Sequence, residues 1–324
     1  MLIFKYDYDK ILKMNERGNK MKHYLGIDGG GTKTKLCLIN EKKEVIGFYS
    51  AGPSSIDTVS EEITRNNILF PYKELLKIAP KNSEVSAVFA GIGGIINEED
   101  EQLVKNLLRK LPNLAKNAKI NAKNDMYNAL YCGLLFDEGM TLIIGTGSVA
   151  FGKDSHGNSH KCGGWGYKEG DAGSAYNLGK EALQLAIRAT DGRISRTPFT
   201  QELCETIGLE SIYDIVPVVN SLWEDRTKVA SYAKIVTKYA EKNDKNAIQI
   251  IDIAIEQIVL AVNGVLRNLD ITNKTLVIVG GLGNSEGYFK EKLHQRIKNL
   301  DKDIIITSPK VDPAEGAALM AINL

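Results

Sequence analysis

The pattern that most constrains the fold occurs twice: an apolar strand, a glycine-rich turn and a second apolar strand. The first copy is "YLGIDGGGTKTKLCLI", beginning at Tyr24, and the second is "TLIIGTGSVAFG", beginning at Thr141. A third strand follows each copy, and helical patterns and further strands come after it. Two units of one β-β-β-α-β type predict a duplicated α/β protein rather than a short-period repeat.

The elements between the two copies complete the first unit. The segment "EEITRNNILFPYKELLKIA" predicts a helix in which Pro71 introduces a kink or break. Two predicted strands follow, "SEVSAVFAGIGG" and "AKINAKND", and the second ends at Asp125, directly before the helical segment "MYNALYCGLL". The second unit continues through several helices to two late strands, and an alanine-rich helix from Pro313 closes the sequence.

This order of elements predicts two lobes with a cleft between them, a common place for a ligand. We expect an N-terminal lobe over residues 21–126, completed by residues 310–324, and a C-terminal lobe over residues 127–309. Residues 1–20 carry charges throughout and precede a second methionine, Met21. They are either a translated leader, with Met21 as the true start, or an extension that is flexible or forms an amphipathic helix.

The composition narrows the classes of partner. The net charge of the 324-residue chain is +1, so no overall field attracts nucleic acid or an anionic membrane. No apolar run approaches the roughly 20 residues that span a bilayer. The four cysteines are scattered without a CxxC pair, which is typical of a reducing cytoplasm and unfavourable for a thiolate metal site. We therefore expect a cytoplasmic protein without nucleic-acid or membrane partners.

The first glycine turn has the residues that phosphate binding requires. Gly29, Gly30 and Gly31 permit positive φ and leave no Cβ in the way, so successive N–H groups can converge on an anion. Thr32 adds a hydroxyl donor. Asp28 places a carboxylate beside the turn, which suits a Mg²⁺ ion held through water between carboxylate and phosphate.

The second turn, Gly145 to Ser148, repeats the arrangement, and two such hairpins would hold the triphosphate of a nucleotide. The first turn is not a Walker A loop, because Thr-Lys follows its glycines and no helix begins there. A tight hairpin without function is the alternative for either turn alone. The presence of both turns favours the phosphate interpretation.

Five segments, in a fixed order, carry a resemblance to a known family. They are "YLGIDGGGTKTKLCLI", "KNDMYNAL", "IIGTGSVAFG", "GGWGYKEGDAGSAYNLG" and "IVGGLGNS". From Tyr24 to its C-terminus the chain resembles the N-acetylglucosamine kinase branch of the BadF/BadG/BcrA/BcrD ATPase family, within the actin/hexokinase/Hsp70 ATPase superfold. The resemblance implies two actin-like (RNase H-like) lobes, ATP with Mg²⁺, and phosphorylation of the 6-hydroxyl of N-acetylglucosamine, N-acetylmuramic acid or both. It also suggests a homodimer.

The resemblance implies a role for individual residues. Asp125 matches the catalytic base, and Asp28 would support Mg²⁺. The residues that it places at the nucleotide and its phosphates are Asp28, Gly29, Gly30, Gly31, Thr32, Lys33, Gly145, Thr146, Gly147, Gly280, Gly281, Leu282 and Gly283. Those that it places at the sugar are Ser54, Ser55, Asp125, Gly147, Ser148, Trp165 and Asp171. Members of the family often have Asn in this neighbourhood, whereas this chain has Ser54 and Ser55, so the contacts to the acylamino group stay open.

Structural roles remain open for three of these residues. Asp125 and Asp171 each precede a helix, and either carboxylate could simply cap it. Trp165, flanked by glycines, could stack under the sugar, wedge the glycine segment or pack in the core. His160 and Cys162 lie close together in sequence, but further cysteines of a zinc site are missing.

Three other functions remain as alternatives. The first is a glucosamine kinase, which differs from the favoured function only in the acyl group of the sugar. The second is an ATPase that activates a partner dehydratase or reductase, which would need cysteines for an iron–sulfur cluster. The third is a non-catalytic sugar sensor, which would need a DNA-binding segment.

Overall fold

The structure is a computed structural model in which two compact units are distinguished. One unit comprises residues 20–125 with Ala314–Leu324, and the other comprises Met126–Pro313. The expectations for residues 1–19, including the leader, lie outside the described residues. The structure describes residues 20–135, 138–167, 171–222 and 225–324.

The described residues contain ten strands and eleven α-helices. The strands are β1 (Met21–Gly29), β2 (Thr34–Asn40), β3 (Val45–Ala51), β4 (Ser83–Ile92), β5 (Leu114–Lys123), β6 (Gly139–Ile144), β7 (Ser148–Lys153), β8 (Ser159–Gly163), β9 (Thr275–Val279) and β10 (Ile305–Thr307). The helices are α1 (Glu61–Ile78), α2 (Glu98–Leu108), α3 (Met126–Leu134), α4 (Ala175–Thr190), α5 (Pro198–Ile207), α6 (Ile215–Leu222), α7 (Arg226–Ser231), α8 (Ala233–Ala240), α9 (Lys245–Asn268), α10 (Tyr288–Leu300) and α11 (Pro313–Ile322).

The two units contain sheets of the same topology. The first sheet has the strand order β3-β2-β1-β4-β5, and the second has the order β8-β7-β6-β9-β10. In each sheet the first three strands along the chain pair antiparallel, and the fourth and fifth add in parallel. The predicted α/β duplication is therefore confirmed. The carboxyl ends of the first and fourth strands lie side by side in each sheet, which is where α/β proteins commonly place ligands.

The core of the first unit lies between the sheet and helices α1 and α2. Alternate side chains of the central strands β1, β2 and β4 are buried in one cluster with apolar residues of both helices. A smaller cluster on the other face of the sheet includes Cys37 and Ile39 of β2, with Ala314 and Ala318 of α11. The C-terminal helix therefore belongs to the sheet with which the chain begins.

The core of the second unit is larger and is organised around α9. Seven residues of this helix are buried, among them Ile251, Ile255 and Ile258, within a cluster that includes strands β6 and β9 and most of the surrounding helices. Among the described residues α9 is long and apolar enough to cross a membrane by length and composition. The expectation that no apolar run approaches such a length is therefore wrong, but core helices of soluble proteins pass the same test.

Two details of the predicted elements are corrected. Pro71 does not break its helix, because α1 continues from Glu61 to Ile78 with Pro71 buried inside it. Strand β5 ends at Lys123, two residues before Asp125, so Asp125 lies in the connection to α3 and not at the end of the strand.

Gly26 is expected to be essential for the first unit to fold. A Cβ on this β1 residue would overlap the backbone carbonyl oxygen of Ala314 and the backbone nitrogen of Ala318, atoms that cannot rotate away. We predict that Gly26→Ala lowers the free energy of unfolding by about 3 kcal/mol, the upper range for overpacking. Denaturant unfolding measures the change.

Gly47→Ala in the same sheet is the matched control. Its Cβ would come 2.5 Å from Ile78 Cδ1, the end of a flexible side chain that can move. We expect a loss of less than about 1 kcal/mol. Equal losses in the two variants would contradict the close packing of α11 on β1.

Candidate active site

The first glycine turn leaves backbone donors available. Within the hairpin, the Gly30 N–H donates to the Lys33 carbonyl at 2.9 Å. Across the described part of the chain, the N–H groups of Gly31, Thr32 and Lys33 have no hydrogen-bond partner, and all three residues are exposed. Three consecutive donors on one exposed turn are the arrangement that a phosphate group requires.

The glycines of this turn serve two purposes, and neither requires positive φ. Gly29, Gly30 and Gly31 do not have a positive φ. The expectation that the turn needs glycines for this conformation is therefore wrong. A Cβ on Gly29 would overlap Ser54 Oγ, so this glycine permits close packing. The nearest atom to a Cβ on Gly30 or Gly31 is 3.7 Å away, so these two glycines leave open space beside the donors.

The predicted sugar loop is bonded directly to this turn. The N–H groups of Ser54 and Ser55 donate to the Gly30 carbonyl at 3.1 and 3.2 Å. The loop is further fixed by Asn67, whose side chain donates to the Pro53 carbonyl at 2.6 Å. The first glycine turn and the serine loop are therefore joined directly by hydrogen bonds.

The two serines have different environments. Ser54 is fully buried, and its Oγ has no hydrogen-bond partner within the part of the chain that the structure describes. Ser55 is 4% exposed and donates its hydroxyl to Asp57 Oδ1 at 2.5 Å. Their contacts to a sugar remain predictions.

Asp125 lies close to Ser55 within the first unit. Both side chains reach the bare face of Gly93, because a Cβ there would lie 2.5 Å from Ser55 Oγ and 3.6 Å from Asp125 Oδ2. Gly93 is itself held by a hydrogen bond, because its N–H donates to the Gly29 carbonyl at 2.7 Å. The predicted base, the serine loop and the start of the first turn therefore converge on one glycine.

The second turn follows the same plan in the second unit. The Gly145 N–H donates to the Gly147 carbonyl at 2.9 Å, and nothing lies within 4 Å of a Cβ on Gly145. The carbonyls of Gly145 and Thr146 accept the N–H groups of Ala175 and Tyr176 at 2.9 and 3.2 Å. The turn is thus joined to the first residues of α4.

The predicted adenosine loop lies beside this turn. Leu282 and Gly283 both donate their N–H groups to the Ile144 carbonyl at 3.1 Å, directly before the turn. Gly280 has a φ of 99°, and a Cβ there would overlap the same carbonyl. Gly281 is exposed with nothing within 4 Å of an added Cβ. Open space therefore lies along the backbone surface that the second turn and this loop share.

Asp171 also lies at the second turn, where it forms an ion pair that the sequence did not predict. Its side chain is 3% exposed, and Oδ2 accepts a hydrogen bond from Arg226 Nη2 at 2.6 Å. Asp171 Oδ2 would lie 3.0 Å from a Cβ on Gly147, and Arg226 Nη2 would overlap that atom. The ion pair therefore lies against the bare face of Gly147, and a Cβ there would require the Arg226 side chain to move.

Asp171 is not the cap of α4. The cap is Ser174, whose Oγ accepts the Asn177 N–H at 3.1 Å, so the capping alternative for Asp171 is wrong. Ser148 has a structural partner, because its hydroxyl donates to the Ala172 carbonyl at 2.6 Å. This bond fixes the segment after Asp171 against β7.

Trp165 does not pack in the core. The residue is 62% exposed, and its ring lies 4.2 Å from the ammonium group of Lys161 in a cation–π contact. The core alternative is therefore wrong, whereas stacking under a sugar stays a prediction.

The carboxylate of Asp28 can support a metal only with help from other ligands. Asp28 is half-buried in β1, between Lys35 of β2 and Gly91 of β4. Among the described residues no group of three or more His, Cys, Asp and Glu side chains could hold a metal ion, and this includes the surroundings of His160 and Cys162. One carboxylate with phosphate oxygens and water is a common set for Mg²⁺, and the open first turn leaves space for such phosphates.

Four residues of the site escaped the sequence analysis. Arg226 lies 55 positions after its partner Asp171, and nothing in the local pattern connects them. Asp57, Gly93 and Gly94 contact one another or the serine loop, and a Cβ on Gly94 would lie 2.7 Å from the Asp57 backbone nitrogen. The sequence "GIGG" at the end of β4 could have indicated Gly93 and Gly94. Strand β4 lies beside β1, so residues that follow it lie near the first glycine turn.

Comparison with known proteins decides the family. The sequence profile of the BadF/BadG/BcrA/BcrD ATPase family matches residues 25–321. The chain belongs to this family. Its members' use of ATP agrees with the two open glycine turns.

Named relatives match along almost their whole length. The chain is 30% identical over 304 residues to an N-acetylmuramic acid/N-acetylglucosamine kinase of Clostridium acetobutylicum, with 93% of this chain and 98% of the relative covered. It is 28% identical over 319 residues to an N-acetyl-D-glucosamine kinase of Dictyostelium discoideum, with the same coverage. The fold matches a structure from Chromobacterium violaceum assigned as an N-acetylglucosamine kinase, with a TM-score of 0.72, 23% identity, and 94% and 100% of the chains covered.

Gly30→Ala should separate nucleotide binding from folding. The nearest atom to the new Cβ is 3.7 Å away, so we expect an unchanged melting temperature. The methyl group would occupy the open space beside the phosphate donors, so we predict that Mg²⁺-ATP affinity falls about tenfold or more, equivalent to about 1.4 kcal/mol. Calorimetric titration with a non-hydrolysable ATP analogue measures this change.

Gly29→Ala is the opposite control. The added Cβ overlaps Ser54 Oγ, so the melting temperature should fall even without nucleotide. A Gly30→Ala protein that binds ATP as tightly as the original would overturn the phosphate assignment of the first turn.

Proposed function

We propose that this protein is an ATP-dependent amino-sugar kinase that phosphorylates the 6-hydroxyl of N-acetylglucosamine, N-acetylmuramic acid or both. The observation that carries the activity is the 30% identity to a kinase of these two sugars, over 98% of that relative. Family membership over residues 25–321 supports the use of ATP. The geometry of each unit supplies residues suited to one part of the reaction.

The first unit would supply the base and the sugar contacts. A sugar hydroxyl is a poor nucleophile, and a carboxylate within hydrogen-bonding distance can orient it and accept its proton during phosphoryl transfer. Asp125 has this role in our proposal. Ser55, which lies with Asp125 at the bare face of Gly93, would contact the same sugar.

The backbone donors of Gly31, Thr32 and Lys33 would hold terminal phosphate oxygens. Asp28 would hold Mg²⁺ through water, and the ion would neutralise charge on the phosphates when bound.

The second unit would supply the rest of the nucleotide site and a further sugar contact. The open turn at Gly145 and the open backbone at Gly281 are continuous through the Ile144 carbonyl. Phosphates would lie on the first and the nucleoside on the second. Asp171, beside Gly147, would accept hydrogen bonds from sugar hydroxyls.

The cellular compartment, the oligomeric state and the partners of the protein also belong to the proposal. The four cysteines, all within the part of the chain that the structure describes, form no disulfide there, which fits a reducing cytoplasm. A homodimer, and the absence of membrane and nucleic-acid partners, stay predictions.

A panel of sugars tests the substrate class. We expect ADP release, followed in a coupled assay, to require N-acetylglucosamine or N-acetylmuramic acid and Mg²⁺. Preference for unacetylated glucosamine would identify the protein as a glucosamine kinase. Sugar-independent ATP hydrolysis with iron in anaerobically purified protein would instead support the activator function, and sugar binding without turnover would support a sensor.

Asp125→Asn tests the proposed base. We predict that turnover falls by about two to four orders of magnitude, the usual range for general acid–base catalysis. Asn is nearly isosteric with Asp and caps helices about equally well, so the melting temperature should not change. Sugar and ATP should still bind, because the amide keeps a hydrogen-bonding group in place.

Asp57→Asn is the matched control, since Asp57 bonds Ser55 from the same loop but is not the proposed base. It should change the KM for sugar more than the turnover. Near-original turnover of Asp125→Asn would remove Asp125 from the mechanism and make Asp171 the next carboxylate to examine.

A further inference from the structure

The first sheet has two edges, and they are built differently. Its strand order places β5 at one edge and β3 at the other. Strand β5 carries the exposed residues Lys116 and Lys119, and lysines of this kind protect an edge strand from pairing with another chain. Strand β3 has the sequence "VIGFYSA", which contains no charge, and within the described residues it pairs only with β2. Strand β3 is therefore the unprotected edge of this sheet.

An exposed apolar surface continues from β3 onto α1. Phe48 and Tyr49 of β3 and Ile63, Phe70 and Ile78 of α1 are each at least 37% exposed. The spacings of seven and eight residues place the three helix residues in one stripe. The stripe lies beside β3, because the rings of Tyr49 and Phe70 are 5.8 Å apart in an edge-to-face contact. We call these five residues the β3–α1 face, and an exposed apolar surface of this kind is typical of an interaction site.

The β3–α1 face is matched to a second copy of itself. Phe70 lies in the middle of the stripe, with Ile63 seven residues before it and Ile78 eight residues after it. A second α1, packed antiparallel and centred on Phe70, would bring Ile63 of one helix opposite Ile78 of the other. Strand β3 would pair antiparallel with its own copy in the same arrangement. No like charges would meet along the strands, because β3 has none.

The charges of α1 fit the same arrangement. The helix begins with Glu61 and Glu62 and has Lys77 in its last turn. Antiparallel packing places the acidic start of each helix beside the basic end of the other. Glu62 is exposed and forms no ion pair within the described residues. Lys77 is 68% exposed and contacts Glu74 at 2.6 Å, an ion pair of the surface kind that contributes little to stability.

The two elements of this face also hold the serine loop. The chain passes from β3, which ends at Ala51, directly into that loop. Two side chains of α1 bind it, since Thr64 Oγ1 donates to the Ser54 carbonyl at 3.2 Å and the Asn67 amide donates to the Pro53 carbonyl. A partner covering the face would therefore steady the elements that position the proposed sugar contact.

We propose that two copies of this chain associate through the β3–α1 face, with the two β3 strands antiparallel about a twofold axis and the two α1 helices in contact near Phe70. The pairing joins two five-stranded sheets into one sheet of ten strands and supplies β3 with the backbone partners that an edge strand lacks. A second copy is the occupant because the apolar stripe, the uncharged strand and the opposite charges at the ends of α1 are all complementary to themselves. The inference gives the expected homodimer an interface and does not depend on the kinase function.

Analytical ultracentrifugation of the full chain tests the association. We expect the original protein to sediment as a dimer at micromolar concentration. Phe70→Glu places two carboxylates at the centre of the interface, and we predict that the dissociation constant increases about thirtyfold or more, the usual scale for a central aromatic residue. Phe70 is 55% exposed in the single chain, so the variant should fold with an unchanged circular dichroism spectrum. If it does not fold, Phe48→Lys introduces a charge on β3 and should have the same effect on association.

Tyr213→Glu is the matched control. Tyr213 is an exposed aromatic residue of the second unit, at 84%, and lies outside the β3–α1 face. The substitution introduces the same charge as Phe70→Glu and should leave the dissociation constant unchanged.

Exchange of charges tests the antiparallel arrangement of the two helices. Glu62→Lys alone should raise the dissociation constant about threefold to tenfold, because it places lysines of both copies together. Glu62→Lys combined with Lys77→Glu should restore the original value. A purely structural effect predicts the opposite, because each substitution opposes the helix dipole and the two losses would add.

Three outcomes would overturn the inference. The first is a full chain that sediments as a monomer at these concentrations. The second is a dimer that Tyr213→Glu dissociates and Phe70→Glu does not, because the interface would then lie in the second unit. The third is a monomeric full chain whose shortened form, beginning at Met21, dimerises, because residues 1–19 would then occupy the face in place of a second copy.

Discussion

The site in each unit depends on backbone carbonyls at the end of the first strand. In the first unit the Gly29 carbonyl accepts the N–H of Gly93, which follows the fourth strand of that sheet. The next carbonyl, that of Gly30, accepts the N–H groups of Ser54 and Ser55 after the third strand. Two adjacent carbonyls therefore hold three separate segments together. This arrangement satisfies backbone groups that would otherwise be buried without partners.

The second unit has the same pattern of hydrogen bonds, formed by different residues. The Ile144 carbonyl at the end of β6 accepts the N–H groups of Leu282 and Gly283, which follow β9. The Gly145 carbonyl accepts the N–H of Ala175 after β8. Because the two sheets have one topology, the corresponding carbonyls collect corresponding segments. The duplication thus extends from the strands to the hydrogen bonds that build the site.

The sequence predicted the strands and turns more successfully than the side-chain partners. Strands β1 and β6 and their glycine turns were predictable because apolar runs and consecutive glycines are local signals. The pairing of Asp171 with Arg226 was not predictable, because it joins residues 55 positions apart through the packing of α7 on α4. The predicted break at Pro71 was wrong for a related reason: the helix continues through the proline, which is buried in the packing of α1.

The glycines show most clearly what a sequence can and cannot tell. Gly29 and Gly280 are required by close packing, because a Cβ would overlap the Oγ of buried Ser54 or the Ile144 carbonyl oxygen. Gly30 and Gly281 face open space, so packing alone does not require a glycine there. In a sequence both kinds look alike. Only the structure separates glycines that permit the fold from glycines that leave space for a ligand, and that separation is what makes substitution experiments interpretable.

The first unit is built from two separate stretches of the chain, and this determines how its part of the site can be studied. Its sheet begins with β1 near the start of the chain, but α11 at the other end packs against Gly26 and completes the unit. A fragment ending after Asp125 would expose the face of β2 that Ala314 and Ala318 cover. Since the turn at Gly30, the serine loop and Asp125 all depend on this sheet, removal of α11 would disturb the proposed base without touching it. Point substitutions in the full chain are therefore the sound way to assign the roles of these residues.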